Sequence, residues 1–120
     1  MKVEVSARVV TVFVNSTDQW HGRPLYSAVV RLCQDKGIAG ATVSRCVEGY
    51  GASGMLHTTR LLELSENLPV RIEIIDIPER IEPFLEALAG MIGEGLVTVS
   101  DTRVLRFLPD PHGAAGERPA

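Results

Sequence analysis

An α+β domain with a ferredoxin-like βαββαβ order is what this sequence predicts, on three observations. β-branched runs recur at residues 7–14, 41–47 and 70–74. Two segments, 24–37 and 77–92, carry apolar residues at helical spacing. Read in chain order, these segments and those after them give strand, helix, strand, strand, helix, strand, which is the order of a split βαβ sandwich.

In the first run, ARVVTVFV, both alternating sets, Val9/Thr11/Phe13 and Val10/Val12/Val14, are largely apolar, so this strand is expected to be covered on both faces. Residues 15–22 read as a polar loop. Pro24 then opens a helix on which Leu25, Ala28, Val29 and Leu32 share a face, and Gly37 ends it. The second strand, ATVSRCV, runs into a glycine-rich stretch at 49–54. Between Met55 and Asn67 the leucines 61, 62 and 64 fit a short strand and a helical turn equally well. Val70, Ile72 and Ile74 alternate with Arg71 and Glu73 in a third strand, and Asp76-Ile77-Pro78-Glu79 resembles a capping box with Asp76 as N-cap. On the second helix Ile81, Phe84, Leu85, Leu88 and Ile92 form one apolar stripe, which Gly90, Gly93 and Gly95 terminate. Residues 96–99 and 104–107 are expected as two short strands joined by a turn at Ser100-Asp101-Thr102. Residues 109–120 are expected to be disordered, leaving one domain over 1–108.

Two helices cover only one face of a four-stranded sheet, so a first strand apolar on both faces calls for a second copy of the chain. The 120 residues hold 12 Lys and Arg against 15 Asp and Glu, a formal charge of −3 and a pI of about 5.6 with no basic block. Nucleic acid is therefore not an expected partner. No apolar run reaches the roughly 18 residues of a membrane span, and the start, Met1-Lys2-Val3-Glu4, lacks a signal peptide's apolar stretch. A cytoplasmic protein without membrane insertion is expected. Cys33 and Cys46 have no CxxC spacing and read as small core residues.

Three motifs invite a chemical reading. Gly49-Tyr50-Gly51-Ala52-Ser53-Gly54 fits the letters G-x-G-x-x-G, but it follows the second strand and leads into HTTRLLELS rather than joining a first strand to a helix, which speaks against a dinucleotide fold. A turn requiring positive φ and a contact with ligand or partner both remain open for it. Gly90, Gly93 and Gly95 exceed what a helix C-cap needs and suggest close approach of backbone to a ligand, with Arg103 and Arg106 as charge for an anion. Three apart on a strand, these arginines would point to opposite faces. The third, Gly51-Ala52-Ser53-Gly54-Met55, misses the nucleophile-elbow pattern at its last position. His21, His57 and His112 lack the i, i+4 spacing of a chelate, so no metal site is expected. Trp20 and Tyr26 bracket the start of the first helix and read as packing on the sheet edge.

Taken together, Gly37-Ile38-Ala39-Gly40-Ala41-Thr42-Val43, Gly49-Tyr50-Gly51, Arg71-Ile72-Glu73-Ile74-Ile75 and Ile92-Gly93-Glu94-Gly95 with Arg103 and Arg106 resemble the PII family of trimeric signalling proteins. Gly22-Arg23-Pro24-Leu25-Tyr26, Glu48-Gly49-Tyr50-Gly51-Ala52 and Leu56-His57-Thr58 are similar, more specifically, to a bacterial PII-like family of unknown function. The resemblance implies a homotrimer with its sheets turned inward and a site for a small anionic ligand, such as an adenine nucleotide, between neighbouring subunits. It implies Thr42, Gly49, Gly51, Gly93 and Gly95 with Arg103 and Arg106 as ligand groups. It further implies that the loop carrying Tyr50, Ala52, Ser53, Gly54 and His57 contacts a partner such as a membrane transporter, and that the protein is not an enzyme. The chain departs from PII in three respects. The segment 52–66 is short and lacks the modifiable tyrosine context, so uridylylation is not expected; one extra residue separates Thr42 from Gly49; and Leu96 stands where a phosphate-binding lysine is expected. The missing lysine supports an alternative, an interaction module that needs no ligand. A small enzyme using His57 or Ser53 is a third reading, for which neither residue has a recognisable partner.

Overall fold

The computed structural model describes residues 1–50, 57–58 and 67–110. The elements are β1 (Lys2–Asn15), β2 (Gln19–Trp20), β3 (Arg23–Pro24), α1 (Leu25–Asp35), β4 (Gly40–Arg45), β5 (Glu48–Gly49), β6 (His57–Thr58), β7 (Pro69–Asp76), α2 (Pro78–Ala89) and β8 (Leu96–Phe107). Four of them make one sheet in the order β4-β7-β1-β8 with every neighbouring pair antiparallel, the ferredoxin-like topology. β-branched residues dominate its two central strands, where Val10, Val12, Val14, Val70, Ile72 and Ile74 line one face and are buried. Onto that face α1 delivers Leu25, Val29 and Cys33, and α2 delivers Ile81, Phe84 and Leu88, closing a single aliphatic core.

Each helix is set by its ends. Pro24, extended at φ −57° and ψ 131°, starts α1. At the other end Gly37 takes φ +69°, Ile38 N donates to the Cys33 carbonyl at 3.0 Å and Gly37 N to the Gln34 carbonyl at 3.1 Å, a Schellman motif. For α2 the expected cap is displaced by one residue. Ile77 is the N-cap and Pro78 follows it, while Asp76 remains in β7. The Asp76 carboxylate, nearly buried, instead accepts from Ile77 N at 2.7 Å and from Ala39 N at 3.0 Å, tying the start of β4 to the start of α2.

Further differences concern the strands. β1 begins at Lys2, not at residue 7, and β8 is one continuous strand from Leu96 to Phe107 with no turn at 100–102. The two run side by side in unbroken register, Lys2 opposite Phe107 and Phe13 opposite Leu96. Asp101, at the centre of the expected turn, and Arg103 beyond it are satisfied within this ladder: Arg8 Nε donates to Asp101 Oδ1 at 3.0 Å, and Arg103 Nη1 to Glu4 Oε2 at 3.2 Å. β7 ends at Asp76, opposite Arg8, so the pair projects beyond it as a two-stranded arm. The second strand stops at Arg45, where Cys46 N donates to the Pro69 carbonyl at 2.8 Å, and β5 follows as a separate short strand paired with β6.

Both helices lie on one face of the sheet. The other, bearing Val9, Thr11, Phe13, Ile75, Thr42 and Leu96, has no layer over it among the described residues, and Phe13 and Leu96 are 38% and 60% exposed. The cover expected for the outer face of β1 is therefore not supplied by the described part of this chain.

Candidate functional site

One end of the sheet collects most of the sequence-derived site residues that are described. There β1 finishes at Asn15 opposite Pro69, the first residue of β7. Gly49 closes on the same point: a Cβ placed on it would lie 3.2 Å from Pro69 Cγ. Gly95, entering β8, packs on the adjacent stretch of β1, with a virtual Cβ 3.1 Å from the Phe13 carbonyl oxygen and 3.5 Å from Val14 Cγ1. The stretches after the second strand and after α2 thus both reach the end of the β1–β7 pair.

The glycines differ in what they do there. Gly95 is favoured by packing, since a Cβ there would crowd the Phe13 carbonyl oxygen of β1 and make that neighbour give way. Gly93 has ordinary negative φ and nothing within 4 Å of a virtual Cβ. Neither a turn nor a contact inside the described chain explains it. Gly49 also lacks positive φ, so the turn reading does not account for it. Gly51, Ala52, Ser53 and Gly54 lie outside the described residues, as do residues 59–66 and 111–120. Tyr50 is exposed, and the His57 backbone pairs with Gly49 in the β5–β6 ladder.

The remaining predicted ligand residues are not brought to this end. Thr42 sits on the open face opposite Glu73. Arg103 and Arg106 lie seven and ten residues along β8 from Leu96, about 23 and 33 Å away at roughly 3.3 Å per residue. They do point to opposite faces, because Arg103 pairs with Ser6 and Arg106 with Val3. Arg103 is ion-paired to Glu4 and borders a hollow of about 470 Å³ at the base of the arm with Ser6, Arg8, Pro78 and Asp101. Arg8 is held by Asp101 at 3.0 Å and Glu82 at 3.1 Å; the Asp101 hydrogen bond chiefly raises its pKa above the usual guanidinium value. With each arginine matched by a carboxylate, this hollow is not an anion site.

A segment whose polar sequence suggests only a loop also belongs to the glycine end. β2 and β3 form a small hairpin rooted on β1: Asn15 N donates to Asp18 Oδ2 at 2.9 Å, and Leu25 N to the Asp18 carbonyl at 2.8 Å. Ser16 N donates to the Leu68 carbonyl at 2.8 Å, and Leu68 N returns to Ser16 Oγ at 2.9 Å. Trp20, expected on the sheet edge, packs against the core, and its ring stacks on His21 at 4.4 Å. A second hollow, about 230 Å³ and lined by Tyr26, Val30, Arg31, Gln34 and Val43, runs between α1 and the edge strand β4. Among the described residues no three potential metal ligands converge, and no helix is long and apolar enough to cross a membrane.

A four-stranded antiparallel sheet in this order, with two helices on one face and glycine segments at one end, is the fold of PII-like proteins. The chain belongs to the DUF190 family, described as Uncharacterized ACR, which matches residues 7–104. It is 34% identical over 101 residues to a UPF0166 protein of Aquifex aeolicus, covering 84% of this chain and 95% of the relative. A UPF0166 protein of Methanocaldococcus jannaschii is 32% identical over 103 residues, with 85% and 94% covered. Among solved structures, the chain is similar to CPII, a nitrogen regulatory PII-like protein from Thiomonas intermedia K12 bound to ADP, AMP and bicarbonate. That match has TM-score 0.65 and 18% identity, covering 85% of this chain and 91% of CPII. A putative PII-like signaling protein from Thermus thermophilus gives TM-score 0.56 and 20% identity over 86% and 91% of the two chains.

Proposed function

We propose that the protein is a non-enzymatic, homotrimeric regulator that binds an adenine nucleotide between subunits and signals to a partner, such as a membrane transporter, through the loop after Tyr50. Gly93 carries the reading. Bare backbone with no positive φ and no packing contact to call for glycine, beside a glycine that packing favours, is what close approach of an anionic ligand asks of a chain. The ADP and AMP bound to CPII, which shares the fold, suggest the ligand class. Because Arg103 and Arg106 lie far along β8 from Gly93, any part they take falls to a neighbouring subunit's site. The uncovered sheet face is the surface through which that neighbour would pack. Nucleotide would bridge Gly49, Gly51, Gly93 and Gly95, fix the loop after Tyr50 and so change the surface offered to the partner.

Calorimetric titration of the full chain with AMP, ADP and ATP, alongside light scattering for the assembly, tests this. Saturable binding to a trimer is expected, lost in Gly93→Val while the trimer and its melting temperature persist. Undiminished binding by Gly93→Val overturns the site. A second reading, a ligand-independent interaction module, is favoured by Leu96, 60% exposed where a phosphate-binding lysine would be expected; a chain that binds no nucleotide would support it.

A further inference from the structure

The β2–β3 hairpin carries chemistry that its packing does not require. Trp20 and Arg23 are directly paired across it, and such partners project from the same side of a ribbon. The central residues His21 and Gly22 have φ of +49° and +81°, the left-handed pair of a two-residue type I′ turn. Glycine fits the first of these positions with less strain than histidine. Here the histidine takes that conformation together with a contact: its ring lies on the Trp20 indole at 4.4 Å with the planes 13° apart. Trp20 is partly buried against the core, whereas His21 is exposed, so the imidazole face turned away from Trp20 is open to solvent. Arg23 is exposed as well, and its guanidinium meets no carboxylate among the described residues. The hairpin hangs from Asn15 and Leu68, at the end of β1 where Gly95 packs on Phe13 and Val14, so an open aromatic face and a cation with no carboxylate among the described residues belong to the same end of the sheet as the bare glycine backbone.

We infer that this hairpin is the lip of the ligand site: His21, backed by Trp20, stacks on the heteroaromatic base of a nucleotide, and Arg23 binds a phosphate oxygen. The assignment rests on the nucleotide reading above and supplies the cation that Leu96 does not. Stacking needs only a π-face and a rigid support, and Trp20 gives that support by its own burial. A guanidinium is suited to phosphate because its fork of donors matches the oxygens.

Trp20 is the one tryptophan of the chain, so intrinsic fluorescence reports directly on the hairpin. AMP and ADP are titrated into the full-length protein with calorimetry and Trp20 emission followed in parallel. The expected result is an emission change that saturates at the calorimetric concentration. His21→Gly, which relieves the positive φ, is expected to melt no lower than the parent yet to bind AMP about tenfold more weakly. A merely structural histidine would leave that affinity unchanged. Arg23→Gln is expected to weaken AMP and ADP while leaving adenosine unaffected. Nucleotide heat without any change in Trp20 emission, and with both variants binding like the parent, overturns the hairpin assignment and leaves the nucleotide reading standing. Absence of nucleotide heat in the parent overturns both.

Discussion

At its Asn15 end β1 lies under the helices, between β7 and β8, with Gly95 pressed against its backbone; at its Lys2 end it has one neighbour, β8. The same kind of sequence serves both. Val10, Val12 and Val14 in the covered part are buried, whereas Val3 in the arm, with Leu105 and Phe107 on the strand beside it, is 38% exposed or more. A valine's contribution therefore depends on what the fold places over it, not on the strand that holds it. The covered end is paired on both sides and packed on its inner face, the support a binding geometry needs. The arm presents apolar side chains without a layer to receive them, and two strands alone are marginal in water.

A matched pair of substitutions separates the ends most sharply. Val12→Ala, at a fully buried position, should cost about 2–4 kcal/mol in urea unfolding, because the methyls it removes leave a cavity among Ile72, Phe84 and their neighbours. Within the covered end, Gly95→Ala should cost about 1–2 kcal/mol, since its Cβ would meet the Phe13 carbonyl oxygen at 3.1 Å and Ile92 Cγ2 at 3.3 Å. Gly93→Ala should fall within roughly 0.5 kcal/mol of the parent, with open space around it. Equal losses at the two glycines would show that packing does not distinguish them.

Burial at the covered end also has a pH signature. Cys33, on α1 and 3% exposed, has its thiol pushed up to about 11 by desolvation, from an ordinary value near 9.0. Above pH 9 the unfolded chain releases a proton that the folded chain retains. Stability from this group is therefore complete below pH 9 and lost as pH rises toward 11, by no more than about 1.4 kcal/mol per pH unit. At pH 8 a disulfide reagent should titrate Cys46, which is partly exposed, and reach Cys33 only after denaturant is added. Two thiols reacting at once in the native protein would mean that α1 is not seated as described.

The covered end was also the more legible in the sequence. Ile81, Phe84 and Leu88 recur at helical spacing because the core takes one face of α2, and Val70, Ile72 and Ile74 alternate because β7 has that same core on one side. Where cover is absent, polarity misleads. Ser100-Asp101-Thr102 reads as a turn, yet these residues continue a strand, since Asp101 satisfies its charge on Arg8 of the neighbouring one. His21-Gly22 hides a hairpin because the usual signal, Asn-Gly, is missing there. For the candidate site, sequence pattern named the glycines but could not say which of them packing favours. Gly93 and Gly95 look alike as letters, and only the position of β1 beneath the second tells them apart. Nor does a sequence give strand length, so Arg103 and Arg106 could be grouped with glycines that lie at the far end of β8.

The smallest effect is expected at the arm. Val3→Ala removes the same two methyls as Val12→Ala, from a position 38% exposed and outside the helices' cover, and should change stability by no more than about 0.5 kcal/mol in the isolated chain. The comparison can break here in an informative way. If Val3→Ala costs about 2 kcal/mol or more, the arm is covered in solution, and a cover contributed by a second copy makes the melting temperature rise with protein concentration, by mass action. Thermal melts of the parent and Val3→Ala over a hundredfold range of concentration therefore distinguish the two cases. Parallel curves independent of concentration leave the arm solvated, whereas a parent curve that climbs while the variant's climbs less places the arm in the subunit contact.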